Sequence, residues 1–531
     1  MAEARVLVAD SMSSLALRVF EERGIEAVQA TGLTAEELQR TIGDFDGLAV
    51  RSATAVNERL LERAPRLRVV GRAGIGVDNI DVAACTGRGV VVMNTPFGNA
   101  ITTAEHALAM MLALARHIPQ ANASTHAGKW EKSRFVGMEL TGKCLGLVGA
   151  GNIGSIVAQK AIGYGLRVQA FDPFLSTERA ATLGVRKVEL DTLLESSDIV
   201  TLHVPKTPET AGMIGARELE RMKPSALLVN CARGGLVDEA ALKRALEAGR
   251  LRGAALDVFE HEPATDNPLF GLPNVICTPH LGAATVEAQE KVAAQIAEQM
   301  SDYLLHGAIA NALNAPNLSA EEARRLRPYL QLAQRLGSFV GQLTGDPIKT
   351  LTITYGGEAK DLNAEPLTTE IIRSILERHS TSVNSVNARE LARQRDIDVI
   401  EAFNDGHDEY QCRLTLEVQT ESMRRHVAGT LIRERPRVID VKGIALESEL
   451  GRHMLYITNE DRPGVIGAIG TLAGDSGINI ANLHLGRSAS GDGAIALLEI
   501  DGPVEPGDIE RFRALPGIKD ARYLHFPPLS S

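Results

Sequence analysis

The sequence is poor in cysteine and in aromatic residues, with five cysteines and one tryptophan in 531 residues and Phe, Trp and Tyr together at 4%. Cys85, Cys144, Cys231, Cys277 and Cys412 are odd in number, widely spread and free of any CxxC pair, so neither a disulfide framework nor a zinc cluster is expected, and no metal is assigned. No apolar run approaches the roughly 18 residues of a membrane span, and the opening "MAEARVLVAD" reads as a strand rather than a targeting segment. Basic residues are not in excess: 56 stand against 67 acidic ones, a net charge of -11 that argues against nucleic acid or an anionic membrane as the bulk partner. What remains is the expectation of a soluble, cytoplasmic protein, long enough for three or four domains that each bury a core.

Through residue 316, short β-branched runs alternate with helical periods, the pattern of parallel sheets covered by helices. "RVLVAD", "GLAVRS" and "RLRVVGR" read as strands, and Thr34 with Glu37 has capping-box spacing at a helix start. A helix apolar nearly all round is expected from about Thr102 to His117, buried between lobes or subunits. Six further strand-like runs follow, from "KCLGLVGAG" to "NVICTPH", a second doubly wound sheet. The helix ending at Gly307 is expected to return the chain to the first lobe. After "NALNAPN" the pattern becomes α+β, and from about Met454 the order β-α-β-β-α-β is that of the ferredoxin-like split unit. The expected division is 1–98 with 285–316, 99–284, 317–452 and 453–531.

"LGLVGAGNIG" sets Gly149, Gly151 and Gly154 in GxGxxG spacing between a strand and a helix. Such glycines permit a tight turn, close backbone approach to a pyrophosphate and close helix packing, while the helix start offers free amides. The next strand ends at Asp172, where a carboxylate would accept the adenosine ribose hydroxyls and repel a 2'-phosphate. NAD is therefore the expected cofactor.

Hydride transfer at a hydroxy or keto acid needs a proton donor, a cation for the carboxylate and a group that keeps the donor charged. Arg233 ends "LLVNCAR", Glu262 follows "LRGAALDVF" and His280 ends "NVICTPH", so all three are expected at the carboxyl edge of one sheet. Taken alone, His280 would more often be a satisfied structural histidine, and Arg233 with Glu262 would most often be a surface ion pair; it is their grouping at one sheet edge that favours chemistry. Arg51 and Arg72 end first-lobe strands as candidates for a phosphate, with a small anion nest at Gly74 to Gly76 and Asn99 as a further candidate.

"NCARGGLVDEAAL", "LDVFEHEP" and "TPHLGAAT", with "GRAGIGVDNID" and "NTPFGNAITTAEHALAMMLALAR" upstream, closely resemble the D-isomer-specific 2-hydroxyacid dehydrogenases. The resemblance spans essentially the whole chain and points to the long members with two added C-terminal domains, which oxidise D-3-phosphoglycerate to 3-phosphohydroxypyruvate at the head of L-serine synthesis. It implies a flavodoxin-like substrate domain around a Rossmann NAD domain, an α+β intervening domain and a ferredoxin-like ACT regulatory domain. Arg233 would bind the substrate carboxylate, with His280 the acid/base and Glu262 its partner. NAD contacts are implied at Asn152, Ile153, Val204, Cys231 and Ala232, with Asp257 on the nicotinamide amide. Ile75 stands where many relatives carry a small or hydroxylated residue beside the cofactor. Lys132 would reach a neighbouring subunit's site in a homodimer or homotetramer. In "NEDRPGVIGAIG" and beyond, Asn459, Asp461, Gly464 and Asn479 would hold L-serine as effector. Two other readings are a glyoxylate or hydroxypyruvate reductase and a non-catalytic NAD-sensing protein.

Overall fold

The computed structural model describes residues 4–378, 383–405, 409–489, 491 and 493–527. Short Val-, Leu- and Ala-rich runs build five parallel strands in the first lobe, Arg5–Val8, Glu26–Gln29, Gly47–Val50, Val69–Arg72 and Val91–Met93, in spatial order 2-1-3-4-5. This is the flavodoxin-like winding. The central strand Gly47–Val50 is buried at every residue, as a sheet covered on both faces requires. The second strand is a half-exposed edge without an apolar signature, which is why sequence pattern alone passes over it. Thr34 and Glu37 form the expected capping box. The helix Val286–His306 returns to this lobe, packing Val292, Ile296 and Met300 against Val6 and Val69, and stops at left-handed Gly307, φ 71°.

The second lobe holds seven parallel strands from Cys144–Val148 to Val275–Cys277, in spatial order 7-6-5-4-1-2-3. Six were expected; the addition is the two-residue edge Arg186–Lys187, too short to carry a pattern. The order reverses beside the first strand, Cys144–Val148, and that switch opens a crevice at the carboxyl ends of the strands. The interlobe helix is Ala100–Ala115, starting and stopping two residues ahead of the expected span because His117 turns left-handed at φ 54° and opens the next helix, Ile118–His126. Its Leu108, Met111 and Leu114 fill the core with Leu145, Leu147 and Ile199.

Beyond residue 316, helices Ala320–Leu343 and Ala364–Leu376 cover a six-stranded mixed sheet in which, among the described residues, only Ile348–Gly357 and Asp398–Asn404 pair in parallel. The last sheet has four antiparallel strands in spatial order 2-3-1-4, the ferredoxin-like arrangement. Strand alternation divides its faces: Met454, Tyr456 and Leu497 join the preceding core, while Leu455, Ile457 and Leu498 pack on its own helices. Among the described residues no helix is long and apolar enough to cross a membrane.

Candidate active site

The strand Cys144–Val148 runs into Gly149, whose φ of 92° favours glycine, and then into the helix Asn152–Gly163. A Cβ on Gly154 would lie 2.0 Å from the Gly149 carbonyl oxygen, so helix and turn touch only because Gly154 lacks a side chain. A Cβ on Gly151 would meet nothing within 4 Å: this is the open side of the turn. No side chain caps the helix start, which leaves its amides and positive dipole end to an anion. Asp172 stands beside the turn, Oδ2 accepting from the Ala150 amide at 2.8 Å and Oδ1 from the Phe174 amide at 2.8 Å. Each oxygen keeps a lone pair for a ribose hydroxyl. The cradle fits a dinucleotide.

A cleft of about 720 Å³ lies between the lobes. Arg51, Arg72, Gly74 and Ile75 line it from the first lobe, Asn99 from the start of the interlobe helix, and Asn152, Ile153, Val204, Cys231, Ala232, Arg233, Glu262 and His280 from the second lobe. Three adjacent strands, Leu227–Asn230, Gly253–Leu256 and Val275–Cys277, lead at their carboxyl ends into Arg233, Glu262 and His280. The geometry at the centre is tight. His280 Nδ1 is 2.6 Å from Glu262 Oε2, and Glu262 Oε1 accepts from the Phe259 amide at 3.0 Å. Burial pushes the Glu262 carboxyl up, but the bonds from His280 and Phe259 outweigh it and hold the group below the usual carboxylate range. His280 itself is left-handed, φ 55°, with its amide bonded to the Asp257 carbonyl at 2.9 Å.

Arg72 is a half-buried cation of the cleft, with its Nε buried and unpartnered and one guanidinium nitrogen folded over Gly74, where a Cβ would sit 2.1 Å away. Burial first, then the neighbouring charges of Arg233 and Arg51, push it down to about 10. Three guanidiniums thus crowd one pocket, an arrangement that favours a multiply charged anion.

Other expected residues lie elsewhere. The Asp257 side chain is fully buried behind the cleft wall, accepting from Thr278 Oγ1 at 2.5 Å, the Leu281 amide at 2.8 Å and the Gly282 amide at 2.8 Å, with His106 Nε2 at 3.1 Å. It braces the His280 segment, and the structure does not bring it to the cleft surface. Lys132 sits on the exposed turn Lys132–Phe135, outside the cleft of its own chain, near Trp130, which is 88% exposed. In the last domain Asp461 pairs with Arg487 at 2.7 Å, Asn479 donates to Asp501 at 2.7 Å and Asn459 donates to the Glu460 carbonyl at 2.7 Å. Gly464, φ 92°, opens the helix Val465–Asp475 without a side-chain cap.

Sequence reasoning missed Asp78 and His203, which line the cleft, and His106 behind it. His203 follows the strand Ile199–Leu202 just as Arg233 and His280 follow theirs, and that position was its signal. Its Nδ1 is buried without a partner, and burial pushes the ring down to about 4. His106 lies on a helix apolar nearly all round and gave no signal. Among the described residues no group of three or more His, Cys, Asp or Glu could hold a metal ion.

Two doubly wound lobes meeting over a dinucleotide cradle and a cationic pocket define a nicotinamide-dependent dehydrogenase of hydroxy acids. Residues 108–282 match the family model for the D-isomer specific 2-hydroxyacid dehydrogenase NAD binding domain, and residues 325–442 match that for the D-3-phosphoglycerate dehydrogenase intervening domain. The chain is 44% identical to the D-3-phosphoglycerate dehydrogenase of Synechocystis sp. over 98% of its length and 94% of that protein's, and 41% identical to that of Bacillus subtilis over 98% and 100%. A Thermus thermophilus crystal structure superposes at TM-score 0.54 with 35% identity, over 58% of this chain and 99% of that one. The chain belongs to the D-3-phosphoglycerate dehydrogenase family, and its cofactor is NAD.

Proposed function

We propose that the protein oxidises D-3-phosphoglycerate to 3-phosphohydroxypyruvate, the first step of L-serine synthesis. The observation that carries this reading is the 2.6 Å contact of His280 with Glu262 in the same cleft as Arg233. Arg233 holds the substrate carboxylate, and Arg51, Arg72 and the amides at Gly74 to Gly76 take the phosphate. With Nδ1 engaged by Glu262, His280 takes the hydroxyl proton on Nε2, and the Glu262 carboxylate stabilises the imidazolium that forms. The Gly149–Gly154 turn and Asp172 would hold NAD, which would supply the acceptor for the hydride on the hydroxyl-bearing carbon. Asp172 selects it over NADP by charge and hydrogen bonding. Asp257 acts from behind the wall by fixing the loop that carries His280.

The finer assignments rest on the same footing. Residues 1–98 with 285–316 form the substrate domain, 99–284 the NAD domain, 317–452 the intervening domain and 453–531 an ACT domain. The protein is a cytoplasmic homodimer or homotetramer in which Lys132 reaches the partner subunit's cleft. L-serine binds between paired ACT domains near Asn459, Asp461, Gly464 and Asn479, displacing Arg487 from Asp461. The test is NADH formation with D-3-phosphoglycerate against plain D-glycerate and glyoxylate reduction, each with and without L-serine. Turnover confined to the plain substrates would remove the phosphate assignment, and a rate indifferent to serine would remove the effector site.

A further inference from the structure

Arg233 is held by a carboxylate that belongs to the opposite lobe. Asp78 follows the strand Val69–Arg72 of the first lobe, and its Oδ2 lies 3.2 Å from Arg233 Nε, across 155 residues of sequence. The chain is anchored on both sides of this contact, although the Asp78 carboxylate itself is 65% exposed. Asn79, next to Asp78, donates from Nδ2 to the Arg51 carbonyl at 2.8 Å and to the Thr54 carbonyl at 2.5 Å, while the Val56 amide bonds the Asn79 carbonyl at 2.8 Å. On the other side, Asn230 donates to the Arg233 carbonyl at 2.9 Å and accepts from the Ala232 amide at 3.1 Å. Arg233 Nη1 donates to the Ala232 carbonyl at 2.7 Å.

A guanidinium has five N–H groups in one plane. With Nε on Asp78 and one Nη1 hydrogen on Ala232, the free pair of parallel N–H groups is the end-on fork of Nη1 and Nη2. That fork matches a carboxylate in two-bond geometry. Gly76 makes room for it: a Cβ there would lie 2.0 Å from Arg233 Nη2 and 2.7 Å from Asp78 Oδ2. The charge of Asp78 is otherwise out of place, since it opposes an anionic substrate in a pocket also lined by Arg51 and Arg72. Of the other carboxylates here, Asp10 is bonded to the Arg51 amide and to Thr54 and Glu262 to His280 and the Phe259 amide, so among the described residues Asp78 is the acid that meets a guanidinium in the cleft.

We infer that Asp78 is a positioning residue for Arg233, turning its end-on fork toward the substrate carboxylate and tying the two lobes together across the cleft. The inference rests on the proposed role of Arg233. Its test is steady-state kinetics and thermal midpoints of the full-length protein carrying Asp78→Ala, Asp78→Asn, Arg233→Ala and the Asp78→Ala/Arg233→Ala pair. Asp78→Ala is expected to lose about 10- to 100-fold in kcat/KM for D-3-phosphoglycerate, with KM for NAD unchanged. Asn keeps an oxygen acceptor for Nε without the repulsive charge, so Asp78→Asn should restore most of kcat, with substrate KM no higher than wild type. The double variant should be no slower than Arg233→Ala. Wild-type kcat/KM in Asp78→Ala beside an inactive Arg233→Ala would overturn the inference and leave the reading of the site standing. So would equal losses in the Ala and Asn variants, or additive losses in the pair. Normal turnover in Arg233→Ala would instead remove the carboxylate site, and this inference with it.

Discussion

His280 Nδ1 lies 2.6 Å from Glu262 Oε2, closer than an ordinary N–H···O bond, although the two residues leave different strands and lie 18 positions apart in sequence. The contact fixes which imidazole nitrogen faces the carboxylate, and so which one is left for chemistry. His280→Ala should lower kcat by about 10²- to 10⁴-fold while NAD binding, measured by fluorescence titration, stays within a few-fold of wild type. Glu262→Gln keeps the shape but not the charge, and should lose less than His280→Ala. Near-normal kcat in the alanine variant would end the acid/base assignment.

Asp172 binds the glycine turn through Ala150 and keeps a negative charge where a 2'-phosphate would have to sit. Asp172→Ala should therefore raise KM for NAD and improve the ratio of NADP to NAD turnover by about tenfold or more, the scale of one lost charge-assisted hydrogen bond and one removed repulsion. An unchanged cofactor ratio would place the ribose elsewhere.

Gly154 is the point at which helix Asn152–Gly163 touches the turn, with 2.0 Å between a hypothetical Cβ and the Gly149 carbonyl oxygen. Backbone cannot yield as a flexible side chain can. Gly154→Ala should cost roughly 1–3 kcal/mol of stability and weaken NAD binding more than it alters substrate KM at saturating NAD. Calorimetry and NAD titration report the two effects separately, and a variant that matches wild type in both would show that the turn has slack.

What the sequence displayed was the part written in local spacing. The glycines and Asp172 fall within one strand–turn–helix–strand unit, and Arg233, Glu262 and His280 each follow an apolar run, so strand order alone carries them to one edge. Contacts between lobes left no such trace. Asp78 meets Arg233 across 155 residues, and His106 meets Asp257 from a helix whose apolar faces hide which side points at the cleft wall. The last domain shows the opposite limit: its topology is plain from the order of runs, yet Asp461 and Asn479 turn to Arg487 and Asp501, partners that no motif specifies. The edge strands Glu26–Gln29 and Arg186–Lys187 were invisible because neither buries a continuous apolar face.

The Asp257 carboxylate carries the longest-range consequence. Burial pushes it up, but bonds from His106, Thr278 and the Leu281 amide more than offset this and hold it below the usual carboxylate range. A carboxyl whose pKa is lower folded than unfolded stabilises the fold fully above its unfolded value, near ~3.9, and that contribution fades as pH falls through the folded value. Glu262 is depressed in the same direction and adds to the same acid-side loss. Asp257→Asn should lower stability at pH 7 by about 1–3 kcal/mol, because one oxygen that accepted amide and hydroxyl hydrogens becomes a donor. The gap between variant and wild type should then narrow below about pH 4, where the carboxyl of the unfolded wild type takes up its proton, and finish closing as pH falls through the lower folded value. Thermal midpoints of both proteins from pH 7 to 3 check this, and a gap that stays constant over that range would show that the buried acid is not the titrating brace of the His280 loop.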